Sequence, residues 1–321
     1  VTDTPRPLDA AASLSALEKV RRPLSPSRAK DYLQCPKLFW YKTIEGRRTL
    51  PTLATTRGNL AHIALEHLFD HDPIDRTETV ATSYVEPAWR VMTHPLVERA
   101  SVEPGSPEAR IRDAQRRWID LVEPESSTVA TLERSAAEYR ALAPEGSADE
   151  TELVATAATA VANYFAIATP AKVEPIGREM HVEATIDDVP LHGFIDRLDR
   201  HVAPDGTETI SIIDYKTGKP PRERYVEDAF FAMWIYALVL TEQLGTRPDK
   251  LRLLYLSTTR REEAVIVRDV TDAKLKTTQT KVSRLYADIL QSAEHDVWET
   301  KKQRLCDWCD FQAECPAWTA S

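Results

Sequence analysis

Between Gly177 and Lys219 the chain carries three runs of alternating apolar and polar residues, and two of them carry carboxylates near their ends. Residues 178–186 and 190–200 read as a hairpin turning at Asp187-Asp188. Residues 208–216 (Glu-Thr-Ile-Ser-Ile-Ile-Asp-Tyr-Lys) read as a third strand, stopped by Pro220-Pro221. Side chains at i and i+2 of a strand share a face, so Asp214 and Lys216 reach one place together. Asp196 stands eighteen residues before Asp214, in Gly193-Phe-Ile-Asp196-Arg-Leu-Asp199. If the two strands are neighbours, two carboxylates and an ammonium converge. Such a set holds Mg²⁺ or Mn²⁺ and activates water beside a phosphodiester.

The rest of the pattern frames these strands. A helix over about 223–244 is apolar nearly all round, hence buried. Strands follow at 250–257 and 263–268, then a helix at about 272–294. Upstream, Ser25-Pro26-Ser27 opens a helix, with Ser27 as N-cap, or Ser25 with Pro26 at the first position. Thr56-Arg57-Gly58 precedes a second helix running to about Phe69, which puts His62 and Glu66 one turn apart on one face. Strands, a helix and more strands, with helices before and after, predict an α/β fold: a mixed central β-sheet flanked by helices. Residues 1–24 read as a flexible arm and 25–321 as one domain. Within it, 72–172 reads as a helical insertion, and 123–150 as an exposed connection. Glu179 and Glu183 share a face of the first strand. Either can approach a metal through water, but a plain strand-face carboxylate is the simpler reading.

A chain of 321 residues, 42% of them apolar, can bury a sizeable core. Its net charge of −9 excludes a generally basic nucleic-acid coat, so a DNA-binding surface must be a local patch. Arg21, Arg22, Arg28, Lys30, Lys37, Lys42, Arg47 and Arg48 form one along the sequence, interleaved with Tyr32, Phe39, Trp40 and Tyr41. Cations among aromatics suit backbone tracking with base stacking. A solvated helix face with its apolar side in the core explains them equally well. The first twenty residues lack the apolar centre of a signal peptide, and the longest apolar run, Ala229–Leu240, has twelve residues, too few to span a bilayer. A cytoplasmic protein with no membrane association is expected. The chain has no G-x4-GK-[ST] loop, so any helicase motor is a separate protein.

Cys306, Cys309 and Cys315 form C-x2-C-x5-C, and the fourth cysteine, Cys35, stands far upstream. Three clustered thiols and one distant one make a poor disulfide set in a cytoplasmic protein and a good four-thiolate metal site. Spacing leaves open whether it holds structural Zn²⁺ or [4Fe–4S]. Either would staple the N-terminal segment to residues 300–318, and Trp308 and Phe311 are expected to shield it.

Taken together, Gly58-x3-His62-x2-Leu65-Glu66, Gly193-x-Ile-Asp196-Arg, Asp214-Tyr-Lys216-Thr-Gly and the split cysteine set resemble the RecB-family nucleases of the PD-(D/E)XK superfamily. The likeness is to the iron–sulfur-bearing branch, which includes AddB nuclease domains and CRISPR-associated RecB-like nucleases. It runs from about Ser25 to Trp318. The resemblance implies that His62, Asp196, Asp214 and the Tyr215 carbonyl hold Mg²⁺ or Mn²⁺. Asp196, Asp214 and Lys216 would be catalytic, with Lys216 orienting or activating water. Cys35, Cys306, Cys309 and Cys315 would hold [4Fe–4S], with Zn²⁺ as the alternative. Glu66, Tyr236, Arg28 and Lys37 are candidates for supporting the site or touching DNA. The family often carries Gln-x3-Tyr after the lysine; here Tyr236 is present, but Ala232 stands where the glutamine would. The activity implied is metal-dependent DNA exonuclease action, on single-stranded ends, in repair or recombination. The alternatives are a nuclease or DNA-end-binding subunit of a helicase–nuclease complex, working with a separate helicase or repair protein, and a CRISPR spacer-processing nuclease.

Overall fold

Asp187 and Asp188 take positive φ (48° and 62°) and join strands β1 (Glu174–Ile186) and β2 (Val189–Val202). A two-residue turn with both φ positive matches the twist of a hairpin, and aspartate tolerates that conformation better than most residues. Strand β3 (Glu208–Lys216) runs antiparallel to β2 and parallel to β4 (Lys250–Tyr255), and β5 (Val265–Asp269) pairs antiparallel with β4. The computed structural model describes residues 14–95, 101–122 and 129–319. Its five strands form one mixed sheet in the order β1-β2-β3-β4-β5.

Helices precede, interrupt and follow the strands along the chain, as the sequence predicts. The N-terminal ones are α1 (Ala16–Val20), α2 (Pro26–Gln34) and α3 (Pro36–Phe39). Next come α4 (Leu53–Leu68), α5 (Glu78–Thr82), α6 (Val85–Thr93), α7 (Pro107–Val122), α8 (Val129–Leu142) and α9 (Ala148–Ile167). The parallel β3–β4 step needs a crossover, and α10 (Val226–Ala229) with α11 (Phe231–Leu244) supplies it. Short α12 (Arg261–Ala264), long α13 (Asp272–His295) and α14 (Pro316–Thr319) complete the set. No described helix is long and apolar enough to cross a membrane.

The chain divides into two compact units: Leu50–Val182 with Phe194–Leu275, and Val1–Thr49 with Glu183–Gly193 and Lys276–Ser321. In the first, Leu60, Leu65 and Leu68 of α4, Trp89 of α6, Val161 and Tyr164 of α9, and Ile213 and Tyr215 of β3 share one buried core. Helices of the 72–172 segment thus pack with the sheet's own residues. The 123–150 stretch is not simply an exposed connection, since α8 fills 129–142 and Ala136 and Ala143 are fully buried. Helix α4 begins at Leu53, six residues before the expected start after Gly58. Thr52 and Thr55 cap it reciprocally, each side chain accepting from the other's backbone N–H at 3.2 and 3.0 Å.

In the second unit Ser25 caps α2, accepting from the Arg28 N–H at 3.3 Å, with Pro26 at the first position. Of the flexible arm expected over 1–24, the structure describes residues 14–24. Ser15 and Glu18 cap α1, Val20 and Leu24 are buried, and Leu24 bridges to Leu191. Residues 1–13 lie outside the described residues.

Candidate metal centre

The β2–β3 register brings the carboxylates together. Arg197 pairs with Ile213, so Asp196 lies one residue further on, opposite Asp214. On β3, alternation sends Ile213 and Tyr215 to the face that joins the helical core, and Asp214 and Lys216 to the other. Asp214 is buried and ion-paired with Lys216, whose side chain remains 42% exposed. Asp196 accepts the Tyr215 N–H at 2.8 Å, a backbone bond that fixes its carboxylate at the point where the strands part.

Helix α4 delivers His62 to the same place. Gly58, one turn earlier, lies so close to the end of β3 that a Cβ there would meet Thr217 Oγ1 at 3.3 Å. Arg57 also donates to the Thr217 carbonyl at 3.3 Å. The glycine of Gly58-x3-His62 therefore serves a close approach of helix to strand. His62 Nε2 lies 3.0 Å from the Tyr215 carbonyl. A carbonyl only accepts, so Nε2 donates to it, and Nδ1 is the ring nitrogen left to meet a cation. Nδ1 faces Asp196 Oδ2 at 3.4 Å and Glu179 Oε1 at 4.0 Å. The Tyr215 carbonyl, implied by the resemblance to be a metal ligand, is here the partner that orients His62.

Glu179 is the residue that the alternation argument undervalued. Its φ is +40°, a left-handed conformation in the middle of β1, of a kind that costs on the order of 1–3 kcal/mol in a non-glycine residue. Beside it, Met180 folds back over Gly177, where a Cβ would meet the Met180 sulfur at 2.8 Å. The kink breaks the two-residue period and carries Glu179 to His62 and Asp196. One ligand atom from each of the three lies within 4.8 Å of the other two. Glu183, expected on the same face as Glu179, is exposed.

The electrostatics call for a cation. Burial, then the charges of Asp196, Glu66 and Asp214, push Glu179 up to about 9. Burial and Asp196 push Asp214 up to about 6 against the opposing pull of Lys216. Tyr255 rises to about 12 through burial and Asp214. Tyr236 on α11 is raised by burial, then by Asp214, Asp196 and Glu179. It thus stands in the field of the site, while Ala232, one turn before it, has no amide to offer. Octahedral Mg²⁺ bonds oxygen at about 2.0–2.1 Å, which puts adjacent donors about 3 Å and opposite donors about 4.2 Å apart. The spacings around His62 Nδ1 fall in that range. Two carboxylates and an imidazole suit Mg²⁺ or Mn²⁺, with the nitrogen favouring Mn²⁺.

The model of the PD-(D/E)XK nuclease superfamily matches residues 23–316. The chain belongs to this superfamily. A search of curated proteins found no match. Membership explains why this PD-(D/E)XK chain sets an acid-and-lysine pair, Asp214 and Lys216, at a strand end, and it implies metal-dependent nuclease activity on DNA. It also directs attention to Arg197, which shares Asp196's motif but points to the opposite face. This buried guanidinium donates to Asp199 at 2.7 and 2.9 Å, to the Tyr164 hydroxyl at 2.8 Å and to the Tyr215 hydroxyl. It also lies over the Phe69 ring, 4.6 Å from the centroid. Arg197 therefore holds from behind the tyrosine whose backbone carries Asp196 and His62.

The four cysteines, all in the second unit, line one small cavity of about 30 Å³ together with Lys37, Leu38, Tyr41 and Trp318. All four are free thiols. The Lys301 N–H donates to Cys35 Sγ and the Gln303 N–H to Cys306 Sγ, each at 3.4 Å. No three of the sulfurs lie within 4.8 Å of one another. A tetrahedral Zn²⁺ with bonds of about 2.3 Å would need separations of about 3.8 Å. Phe311 is buried and stacks on Tyr41 at 4.7 Å, as a shield should, whereas Trp308 is 73% exposed.

Of the two readings of the aromatic–basic N-terminal segment, the structure favours a helix face with its apolar side in the core. Tyr32, Phe39 and Tyr41 are buried. Arg28 is spent on the carbonyls of Pro23 and Lys19, at 2.9 and 3.2 Å. Lys37 lies over the Trp40 ring, 3.3 Å from the centroid, at the cysteine cavity. Glu66 belongs to the metal-centre surroundings, and its carbonyl accepts from Arg178 at 2.7 Å.

Proposed function

We propose that this chain is a divalent-metal-dependent deoxyribonuclease of the RecB-like, iron–sulfur-bearing branch, cutting single-stranded DNA from an end. The observation that carries the reading is the meeting of His62 Nδ1, Glu179 Oε1 and Asp196 Oδ2 beside the Asp214–Lys216 pair. Bound there, a divalent cation supplies Lewis acidity toward the scissile phosphate and makes a coordinated water acidic. Asp196, Glu179 and His62 hold it, and Asp214 completes the acidic wall. The half-exposed Lys216 ammonium orients the attacking water and offsets phosphate charge. The Tyr215 carbonyl keeps the imidazole in the tautomer that leaves Nδ1 free.

Four sulfurs round one cavity, set wider than a zinc tetrahedron and receiving backbone N–H groups, support [4Fe–4S] over Zn²⁺. Residues 300–318 would then be the cluster-binding segment of a RecB-like domain. Cluster content is tested by iron analysis and visible absorbance of anaerobically purified protein; stoichiometric zinc without iron overturns it. Activity and direction are tested with end-labelled single- and double-stranded DNA in Mg²⁺ or Mn²⁺, wild type against Asp214→Ala. Ladders shortening from one end, lost in the variant, are expected. Intact substrate with the wild-type protein, or equal cleavage by the variant, refutes the assignment.

A further inference from the structure

A groove of about 630 Å³ opens from the metal centre within the first unit, with His62 and Glu179 in its wall. Asn59, Ile63 and Glu66 of α4 form one side, and Met92 of α6, Gln115 of α7 and Tyr139 of α8 the other. We infer that this groove seats the unpaired bases next to the scissile phosphate, so that the strand must be single where it is cut. The inference rests on the nuclease reading and names the part of the substrate the groove takes.

Charge and chemistry both point this way. A track for the sugar–phosphate backbone is built from Lys and Arg. Among the described residues no Lys or Arg lines this groove, and the Glu66 carboxylate would repel phosphate. The Lys216 ammonium, outside the groove, is where phosphate charge can be met. What the groove offers instead is apolar wall, a tyrosine ring and two neutral side-chain amides. Those groups pack on flat base faces and hydrogen-bond to base edges. Its volume lies in the range of pockets that enclose small organic ligands. A paired base would have its edge occupied and its faces stacked in the duplex, so it would not enter.

The experiment compares single-stranded oligomers of ordinary sequence with oligomers whose two terminal nucleotides, at one end or the other, lack bases but keep their phosphates. Binding is measured with Ca²⁺, and cleavage with Mn²⁺. Base removal at one end is expected to weaken binding by about 5- to 150-fold per base and to slow cleavage from that end. Ala114→Trp, which fills the groove, should bind both oligomers alike and weakly, with Gln115→Ala intermediate. Equal binding of complete and base-free ends by the wild-type protein overturns the inference, and so does equal binding of blunt duplex and single strand. Should Ala114→Trp fail to fold, the substrate comparison on the wild type still decides. If the wild type cuts nothing, the nuclease reading fails, while the binding comparison still decides whether the groove takes bases.

Discussion

The acidic centre and the cysteine cavity both gather side chains able to bind a metal from distant parts of the sequence, but different forces hold them. The acidic donors sit on regular elements. Asp196 and Asp214 are fixed by strand register, and His62 by a helix drawn against β3 at Gly58. The sulfurs sit in loops and single turns: Cys35 at the break between α2 and α3, and Cys306 in a short 3-10 segment. The acidic centre is assembled by the fold and works against it, since like charges are crowded where water is scarce. The cysteine cavity is built from single turns and loop backbone bonds rather than long helices or strands, and a metal bound there would tie those short pieces together. Losing a donor should therefore cost activity in the first and stability in the second.

The largest expected effect falls on the cysteine side. Cys35→Ala or Cys309→Ala should lose the metal and on the order of 5 kcal/mol of stability, by analogy with cross-links closing loops of this length. Urea titration with metal analysis measures both; a metal-free variant melting like the wild type would erase the contrast. Next, Asp214→Ala and Lys216→Ala should lower cleavage by about 10²–10⁴-fold with circular dichroism and melting temperature nearly unchanged. A variant that loses activity only because it unfolds would put the acidic centre in the same class as the cysteines.

A third test sharpens the role of the framework. Arg197→Met leaves Asp199 without its buried partner and should destabilise the protein by about 3–5 kcal/mol, although Arg197 faces away from the metal donors. A stability loss below about 1 kcal/mol would mean that the strand ladder alone holds Tyr215.

The smallest effect is the pH dependence, and its sign is definite. Glu179 keeps its proton in the folded protein up to about 9, whereas the unfolded chain releases it near 4.5; Asp214 behaves likewise between 3.8 and about 6. The folded state then binds more protons than the unfolded one, so stability in EDTA should fall as pH rises across those windows. Saturating Mn²⁺ should flatten or reverse the slope, and Glu179→Gln should remove part of it. Asp70 runs the other way. Burial raises it, but hydrogen bonds from His67 and Arg178 outweigh burial and hold it at about 2. Its contribution is present above 3.8 and lost as pH falls toward 2. Melting curves from pH 3 to 9 with and without Mn²⁺ separate the two; a metal-free protein whose stability rises from pH 5 to 9 contradicts the account of Glu179.

Local signals explain which parts of the site are readable from sequence. Asp214 and Lys216 share a face because strand periodicity is two, and Pro220-Pro221 says where the strand must stop. Asp187-Asp188 announces a turn because aspartate accepts positive φ. Gly58-x3-His62 carries a glycine for a reason only the structure supplies, the contact with Thr217. Glu179 was readable only as a face position, because its kink depends on Met180 folding over Gly177. The N-terminal aromatics stayed open for a related cause: Tyr32, Phe39 and Tyr41 satisfy a buried core as well as they would a DNA track, and composition does not separate the two.

The sequence by itself determined the mixed α/β plan and the shared face of Asp214 and Lys216, since each follows from period, turn chemistry or residue type over a short span. Only the tertiary structure decided that Glu179 joins His62 and Asp196, that Tyr215 orients the imidazole through its carbonyl, and that Arg197 supports the centre from the opposite face. These depend on side chains from separate elements meeting within a few ångströms, and the free energy that selects such meetings comes from the packed core as a whole.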